Sequence, residues 1–340
     1  MVVHEITFVV KGIPLYPLRF EPIYQYRLWG GRRLGAVLFA PLPGDGPIGE
    51  AWVLSDRDEH PSTVADGPLK GRTIRQLLQQ SPERLLGKLS RKFTRFPMLL
   101  KFLDVKKGLS VQVHPSDAHK DLIPTGDTGK DEGWVVLSTG PAARIYAGLK
   151  AGSSARGLRQ AIADGRVPAQ LMSFVPKAGD SVYIPAGTVH SLNDVVVFEV
   201  QENSDVTFRL YDWNHIDPST GQRRPLQTEQ AIACIDFQQG ATVPERPAVE
   251  ETAPVLRETL IRCAHFRVTR IMADVPFVVG EAGTPRVLVC LAGNGELEHA
   301  GGQYAFRQGD VLLLAAEVGA CACRPYGAIS VLELSLPEAA

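Results

Sequence analysis

Hydrophobic and polar positions alternate with a period of two in many short runs along the chain, which is typical of β-strands with one buried face. In residues 108–114 the odd positions are apolar, while the even positions after Gly108 carry Ser110, Gln112 and His114. One face of this predicted strand is therefore apolar, and the other carries polar side chains. A polar face that lines a cavity could hold a metal or a substrate, whereas one that faces water would be ordinary surface.

Further runs of this kind, separated by Gly and Pro, predict a mainly β architecture of sandwich or barrel type. They are residues 98–105, 133–139, 180–186, 195–201, 206–213, 286–293 and 310–316. Apolar residues recur at helical spacing only within about 69–90, 153–165 and 226–237, where we expect helices. In the first of these, Ser81-Pro82 predicts a break or a new helix start.

An internal repeat indicates duplicated β-barrels. Residues 178–192 align with residues 308–322, each with a Gly-Asp pair followed by a β run. His190 of the first copy aligns with Ala320 of the second, so only the first copy could carry a metal-binding histidine there.

A chain of 340 residues is long for one core, so two domains are expected. The segment 240–254 is rich in Pro, Glu and Ala and has no apolar period, which is typical of a linker. We predict a first domain at 1–245, a linker at 246–257 and a degenerate second domain at 258–340 that lacks metal ligands.

Charge and composition narrow the function classes. Lys and Arg (36) nearly balance Asp and Glu (37), so neither a nucleic-acid footprint nor a membrane anchor is expected. The N-terminal segment has no signal-peptide pattern and no apolar run reaches membrane-spanning length, so we expect a cytoplasmic protein. The five cysteines lack C-x-x-C spacing and predict free thiols.

Residues 179–190 follow the pattern Gly-x5-Pro-x-Gly-x2-His, in which two tight turns flank a buried strand and deliver His190 to the next strand. This pattern resembles the second sequence motif of the cupins. Together with Gln112, His114 and the acidic Glu132, His190 completes a set of one amide, two imidazoles and one carboxylate. Such a set suits Zn²⁺ and other divalent ions.

The resemblance becomes specific when six stretches are taken together and in order. They are RLWGGRRL (27–34), IGEAWVLS (48–55), PMLLKFLDVKKGLSVQVHPSD (97–117), GKDEGWVVL (129–137), YIPAGTVHSL (183–192) and NSDVTFRLYDW (203–213). Their combination resembles the type I phosphomannose isomerases in their short bacterial form.

The resemblance implies a mainly β fold with two cupin (jelly-roll β-barrel) domains and a few inserted helices. It also implies a zinc-dependent interconversion of mannose 6-phosphate and fructose 6-phosphate. One zinc ion would be held by Gln112, His114, Glu132 and His190, although other divalent metals share such ligands.

Lys101 and Arg209 lie within apolar β runs, where an unpaired buried charge would be costly. Each needs a partner, which could be a buried carboxylate or a sugar phosphate. A guanidinium also suits a developing enediolate oxygen, so we expect Arg209 to act there and Lys101 to orient the substrate or relay protons. Ser110 could contact the phosphate, or could be ordinary surface.

Isomerisation through a cis-enediol needs a base for a weakly acidic C–H bond. The sequence leaves three choices open: Glu199, Lys101 and a water on the metal. It also leaves rival functions open. These are an isomerase of another sugar phosphate, a cupin Fe(II) oxygenase with two histidines and a carboxylate, and a non-catalytic sugar-phosphate-binding cupin. The expected partner is a small sugar phosphate, and the chain would be a monomer or a homodimer.

Overall fold

The computed structural model describes residues 12–217 and 220–336 of the chain. It is mainly β with curled sheets, as the alternating pattern predicts. The described strands are β1 (Leu18–Arg19), β2 (Ile23–Gly31), β3 (Ile48–Leu54), β4 (Met98–Val105), β5 (Val111–Val113), β6 (Glu132–Leu149), β7 (Leu171–Phe174), β8 (Ser181–Ile184), β9 (His190–Glu202), β10 (Phe208–Tyr211), β11 (Ala248–Glu251), β12 (Leu256–Arg262), β13 (Arg267–Ala273), β14 (Phe277–Val279), β15 (Arg286–Ala292), β16 (Asn294–His299), β17 (Gly302–Arg307), β18 (Val311–Leu314), β19 (Cys321–Pro325) and β20 (Ile329–Ser335).

The described α-helices lie in the segments where helical spacing predicts them, apart from the single turn of α1, and two short 3-10 helices span Gly87–Arg91 and Val167–Gln170. The α-helices are α1 (Leu34–Val37), α2 (Ile74–Gln80), α3 (Pro82–Leu86), α4 (Ala155–Ala163) and α5 (Thr228–Cys234). Helix α2 begins with a capping box. The Thr73 hydroxyl accepts a hydrogen bond from the backbone amide of Gln76, and the side-chain oxygen of Gln76 accepts one from the backbone amide of Thr73. Ser81 ends α2, and Pro82 is the first residue of α3, so the predicted break is confirmed.

Strands β2 to β10 form one sheet whose centre is the long strand β9. One edge of β9 pairs with β5 at its start and with β4 along its second half, while the other edge pairs with β6 over nearly its whole length. Asp194 has a φ of 48° in the middle of β9. One buried apolar cluster of this curled sheet includes Trp29, Trp134 and Leu192.

The second half of the chain forms a seven-stranded sheet, in the order β1-β18-β15-β20-β13-β12-β11, and a four-stranded sheet, in the order β14-β19-β16-β17. The predicted repeat has equivalent turns in both halves. Gly179 and Gly309 adopt φ values of 92° and 87°, and the carboxylates of Asp180 and Asp310 each accept from a backbone amide three residues earlier. Strands β8 and β18 follow these turns directly.

Two strands lie where the predicted domain division does not place regular structure of the second half, while the division itself stays a prediction. Residues Ala248–Glu251 form the edge strand β11 within the segment predicted as a linker. All four residues are exposed, and a strand exposed on both faces needs no apolar alternation, so its sequence looked irregular. Strand β1 also crosses over to pair with β18, so the start of the described chain joins the second sheet.

Candidate active site

The register of the first sheet places the chemical side chains in two cross-strand rows. Gln112 of β5 is paired with His190 of β9 on one side and with Arg209 of β10 on the other. Farther along the same strand β9, Glu199 is paired with Lys101 of the neighbouring strand β4. Directly opposed residues on one face of a sheet lie close enough to interact, so the pairing of non-local strands assembles this site.

The structure brings His114, Glu132 and His190 together in the buried interior of the barrel, where each is at most 1% exposed. Glu132 Oε2 lies 3.2 Å from His114 Nε2, and Glu132 Oε1 lies 3.2 Å from His190 Nε2. One ligand atom from each of these residues lies within 4.8 Å of the others. Three predicted metal ligands therefore share one small volume.

Backbone carbonyls set the tautomers of both histidines. His114 Nδ1 lies 2.8 Å from the carbonyl oxygen of Val206, and His190 Nδ1 lies 2.9 Å from that of Thr188. Because a carbonyl oxygen only accepts, each Nδ1 carries the proton and each Nε2 presents a lone pair to Glu132.

The protonation states also suit metal ligation. Burial lowers the pKa of His114 to about 3, with Lys130 adding to the effect, and burial likewise lowers the pKa of His190. Burial alone would raise the pKa of Glu132, but Lys130 and the histidines hold it well below its ordinary value. Neutral imidazoles and an ionised carboxylate are the forms that bind a metal.

The site thus holds acceptor atoms that face one another. The carboxylate oxygens of Glu132 are buried, and among the described residues only Oε2 has a cation beside it, the Lys130 ammonium at 2.7 Å. Glu132 Oε1 and His190 Nε2 face each other at 3.2 Å, and two such acceptor atoms repel unless a cation lies between them. The residues present therefore fit a divalent cation.

Gln112, the fourth predicted ligand, lies beside this group but presents its nitrogen. Its Nε2 is 3.2 Å from His190 Nε2, while its Oε1 accepts a 3.1 Å hydrogen bond from the Ser110 hydroxyl. Ligation through the oxygen requires the amide to turn over, because only the amide oxygen has a lone pair for the metal.

Lys130 is a site residue that the sequence analysis missed. It is 3% exposed, and its Nζ lies 2.7 Å from Glu132 Oε2 and 3.1 Å from His114 Nε2. Lys130 precedes Glu132 by two positions, so the period of two that grouped Ser110 with Gln112 could have placed it on the same face.

Two buried carboxylates flank Lys101, and each is held by a tryptophan. Lys101 Nζ lies 3.3 Å from Glu199 Oε1, and Trp134 Nε1 donates to Glu199 Oε2 at 3.0 Å. On the other side, Trp52 Nε1 donates to Glu50 Oε2 at 2.6 Å. The sequence had left open whether Lys101 pairs with a carboxylate, and the structure shows that it does.

These two carboxylates differ in acidity. Burial, with the nearby charge of Glu132, raises the pKa of Glu199. Burial acts on Glu50 as well, but Lys101, Arg27 and two hydrogen bonds lower its pKa to about 2. Glu199 is therefore the carboxylate that more readily accepts a proton.

Arg209 has no acidic partner within ion-pair distance among the described residues. Its guanidinium donates to the carbonyl of Pro225 at 2.9 Å, while its buried Nε has no hydrogen-bond partner in the described part of the chain. Burial and the charge of Arg224 lower the pKa of Arg209. An anion in the cavity would satisfy this group.

A cavity of about 350 Å³ opens over the two rows. Five cationic and three anionic side chains line it, so its charge favours an anionic ligand. The cations are Arg27, Lys101, Lys130, Arg209 and Arg224, the anions are Glu50, Glu199 and Asp205, and Ser110 and Gln112 also line the wall.

No helix among the described residues has the length and apolarity to cross a membrane.

Comparison with known proteins identifies relatives for nearly the whole chain. A family model described as phosphomannose isomerase type I, catalytic domain, matches residues 18–130. The chain is 32% identical over 306 residues to mannose-6-phosphate isomerase ManA of Bacillus subtilis, covering 89% of this chain and 94% of the relative. It is 33% identical over 299 residues to the mannose-6-phosphate isomerase of Streptococcus mutans, covering 88% and 92% of the two chains.

Solved structures of phosphomannose isomerases share the fold of this chain. The crystal structure of mannose 6-phosphate isomerase from Bacillus subtilis superposes with a TM-score of 0.85 at 27% identity, covering 94% of this chain and 99% of that one. A variant of phosphomannose isomerase from Salmonella typhimurium, at 14% identity and a TM-score of 0.75, shares the fold over 95% of this chain and 100% of its own. These similarities support the cupin fold expected from the sequence.

Proposed function

The chain belongs to the type I phosphomannose isomerase family, and we propose that it interconverts mannose 6-phosphate and fructose 6-phosphate at the cavity beside the candidate metal ligands. The observation that carries the proposal is the set of facing acceptor atoms next to a cation-rich cavity, which Gln112 and Lys130 line. Family membership favours this reaction over that of a cupin oxygenase or a non-catalytic binding protein.

We propose Zn²⁺ as the metal, held by His114, Glu132 and His190, with Gln112 as the fourth ligand after its amide turns over. Two imidazoles, one carboxylate and one amide oxygen suit zinc. When bound, zinc supplies Lewis-acid polarisation of the oxygen atoms of the open-chain sugar.

Cationic side chains bind the rest of the substrate. The Arg209 guanidinium, whose Nε lacks a partner in the described chain, stabilises negative charge on the enediolate oxygen. The Ser110 hydroxyl, which now donates to Gln112, contacts the phosphate once that amide turns. The excess positive charge of the cavity attracts the phosphate dianion.

Glu199 is the proposed proton carrier. It accepts the proton from C2 of mannose 6-phosphate, which gives the cis-enediolate. The O2 proton moves to O1 through the cis-enediol, and Glu199 returns its proton to C1, which gives fructose 6-phosphate. Its raised pKa suits a group that must both take up and release a proton near neutral pH. Trp134 and Lys101 fix its two oxygens, so the carboxylate is oriented before the substrate binds.

A coupled assay tests the proposal. Purified protein loaded with zinc is supplied with mannose 6-phosphate, and fructose 6-phosphate is measured with and without a chelator. We expect turnover that the chelator abolishes and zinc restores, with no turnover of unphosphorylated mannose at the same concentration. Zinc-loaded protein that turns over glucose 6-phosphate but not mannose 6-phosphate would refute the substrate assignment.

A further inference from the structure

A turn of the second half of the chain contacts the strand that carries the carboxylate ligand. The turn between β12 and β13 is closed by a 3.0 Å hydrogen bond from the amide of Cys263 to the carbonyl of Phe266. His265 projects from this turn, with Nδ1 2.9 Å from Glu202 Oε1 and Nε2 3.8 Å from Asp131 Oδ2. Both carboxylates belong to the barrel that holds the candidate metal site.

Asp131 and Glu202 are tied into the barrel by their remaining atoms. The amide of Asp131 donates to Glu202 Oε2 at 2.9 Å, and the amide of Glu202 donates to the carbonyl of Asp131 at 3.1 Å. Asp131 Oδ1 accepts from the amide of Ala186 at 2.8 Å, and its Oδ2 accepts from the hydroxyl of Tyr183. The Asp131 carboxylate is therefore held by groups on two sides.

This network reaches the metal ligands directly. Asp131 immediately precedes Glu132 at the start of β6. Ala186, whose backbone amide donates to Asp131, is followed by Gly187 in the same turn. The amide of Gly187 donates to the carbonyl of His114 at 2.9 Å. A shift of Asp131 would therefore move the backbone beside two of the ligands.

Packing at the next residue supplies an independent contact. A Cβ added at Gly133 would lie 2.7 Å from Ile261 Cδ1 and 3.4 Å from Phe266 Cε2. The missing side chain at Gly133 thus lets the β12–β13 region pack directly against the backbone that follows Glu132. Phe266, next to His265, is fully buried in this contact region.

We propose that His265 is a positioning residue, which acts through Asp131 and Glu202 to fix the start of β6 and so holds Glu132 in place for the metal. This inference rests on the proposed metal site but assigns a role to the second half of the chain that the reaction itself does not require. The hydrogen bond to Glu202, with the charges of Asp131 and Asp117, raises the pKa of His265 and supports a cationic ring between the carboxylates. Residues around a metal's ligands orient those ligands, and their loss weakens metal binding.

The test compares His265→Ala and His265→Gln with a control variant at another contact between the two halves of the chain. The control is Glu317→Gln, which weakens another contact between the two halves, the Arg84–Glu317 ion pair with its 2.7 Å hydrogen bond. For each variant we would measure the Kd for Zn²⁺ by chelator competition, the visible absorption spectrum of the Co²⁺-loaded protein and the Tm.

We expect His265→Ala to raise the Kd for zinc by about 3- to 30-fold and to change the cobalt spectrum, with partial recovery in His265→Gln because glutamine can still donate to Glu202. Glu317→Gln should lower the Tm while leaving the Kd and the cobalt spectrum as in the wild type. An unchanged Kd in His265→Ala, or an equal rise in Glu317→Gln, would overturn the proposal.

The number of zinc ions bound per chain distinguishes positioning by His265 from direct metal binding by His265. Two zinc ions per chain in the wild type, with the second lost in His265→Ala, would overturn positioning by hydrogen bonds, because the Asp131–Glu202–His265 group would then itself be a metal site. Failure of the proposed function gives a different result. The wild type would then show no turnover of mannose 6-phosphate, while the effect of His265→Ala on the zinc Kd persisted.

Discussion

Replacing Glu199 with glutamine separates its chemistry from its place in the fold. Glutamine has the same shape, and its amide oxygen can still accept the hydrogen bond from Trp134 Nε1. The change removes the negative charge, which lies 3.3 Å from Lys101, and the ability to take up a proton, and it places the donor side of the amide towards the Lys101 ammonium.

The two consequences have different magnitudes. At 3.3 Å and an effective dielectric constant of about 20, the Lys101–Glu199 attraction is about 5 kcal/mol. The substitution also removes the desolvation cost of Glu199 and its repulsion by Glu132. Because these two effects outweigh the attraction and raise the pKa of Glu199, we expect little loss in the free energy of unfolding. Loss of a general base lowers kcat by about 10²- to 10⁴-fold, which corresponds to about 3–5 kcal/mol.

The assay measures kcat for mannose 6-phosphate, bound zinc and the free energy of unfolding for Glu199→Gln and for the matched variant Glu50→Gln. Glu50 is also buried, held by a tryptophan and close to Lys101, but its pKa of about 2 makes it a poor base. We expect both variants to keep zinc and the kcat loss to be at least about tenfold larger for Glu199→Gln. A Glu199→Gln enzyme with kcat close to the wild-type value, or with a loss explained wholly by missing zinc, would refute the assignment.

Four further outcomes follow from the same geometry. His114→Ala should lose both zinc and turnover, and elemental analysis that found full zinc content in an active variant would remove His114 from the ligands. Arg209→Ala should keep zinc and lose about 10²-fold in kcat, whereas a loss confined to metal content would contradict its role at the enediolate. Because the pKa of Glu50 is about 2 in the fold against an ordinary 4.5, its charge contributes about 3 kcal/mol above pH 4.5 that is lost as the pH falls towards 2. The difference in free energy of unfolding between the wild type and Glu50→Gln should therefore narrow on acidification, and a constant difference would contradict the assignment. Gly133→Ala should lower the Tm, and Ile261→Val, which removes the Cδ1 atom 2.7 Å from the new Cβ, should restore part of it; no recovery in the double variant would show that another contact limits the site.

Local periodicity predicted which side chains of the candidate site share one face. The period of two placed Ser110, Gln112 and His114 on one face, and the turn pattern before His190 predicted where that histidine enters its strand. Both inferences use only neighbouring residues, because side-chain direction in a strand and the conformation of a tight turn are local properties.

The remaining features depend on contacts between distant segments. No local pattern shows that Lys101 of β4 is paired with Glu199 of β9, or that Trp134 of β6 donates a hydrogen bond to the same carboxylate. The same holds for His265, which reaches Asp131 from a turn more than a hundred residues away along the chain. Lys130 is different, because its place two residues before Glu132 was a local signal in the sequence that the predictions did not use.

The strand β11 shows a related difficulty. Residues Ala248–Glu251 are exposed and lie at the edge of their sheet, so no buried face imposes an apolar period on them. Composition alone therefore favoured a linker. The division at 246–257 stays a prediction for the domain boundary, with this strand inside it.

The most direct test of the central claim is turnover of mannose 6-phosphate as a function of bound zinc. Metal-free protein would be reloaded in steps, with bound zinc and the rate of fructose 6-phosphate formation measured on the same samples. We predict that the rate rises linearly with bound zinc and reaches its maximum at one ion per chain. Turnover that is already complete in the metal-free protein, or that requires iron and consumes oxygen, would contradict the account.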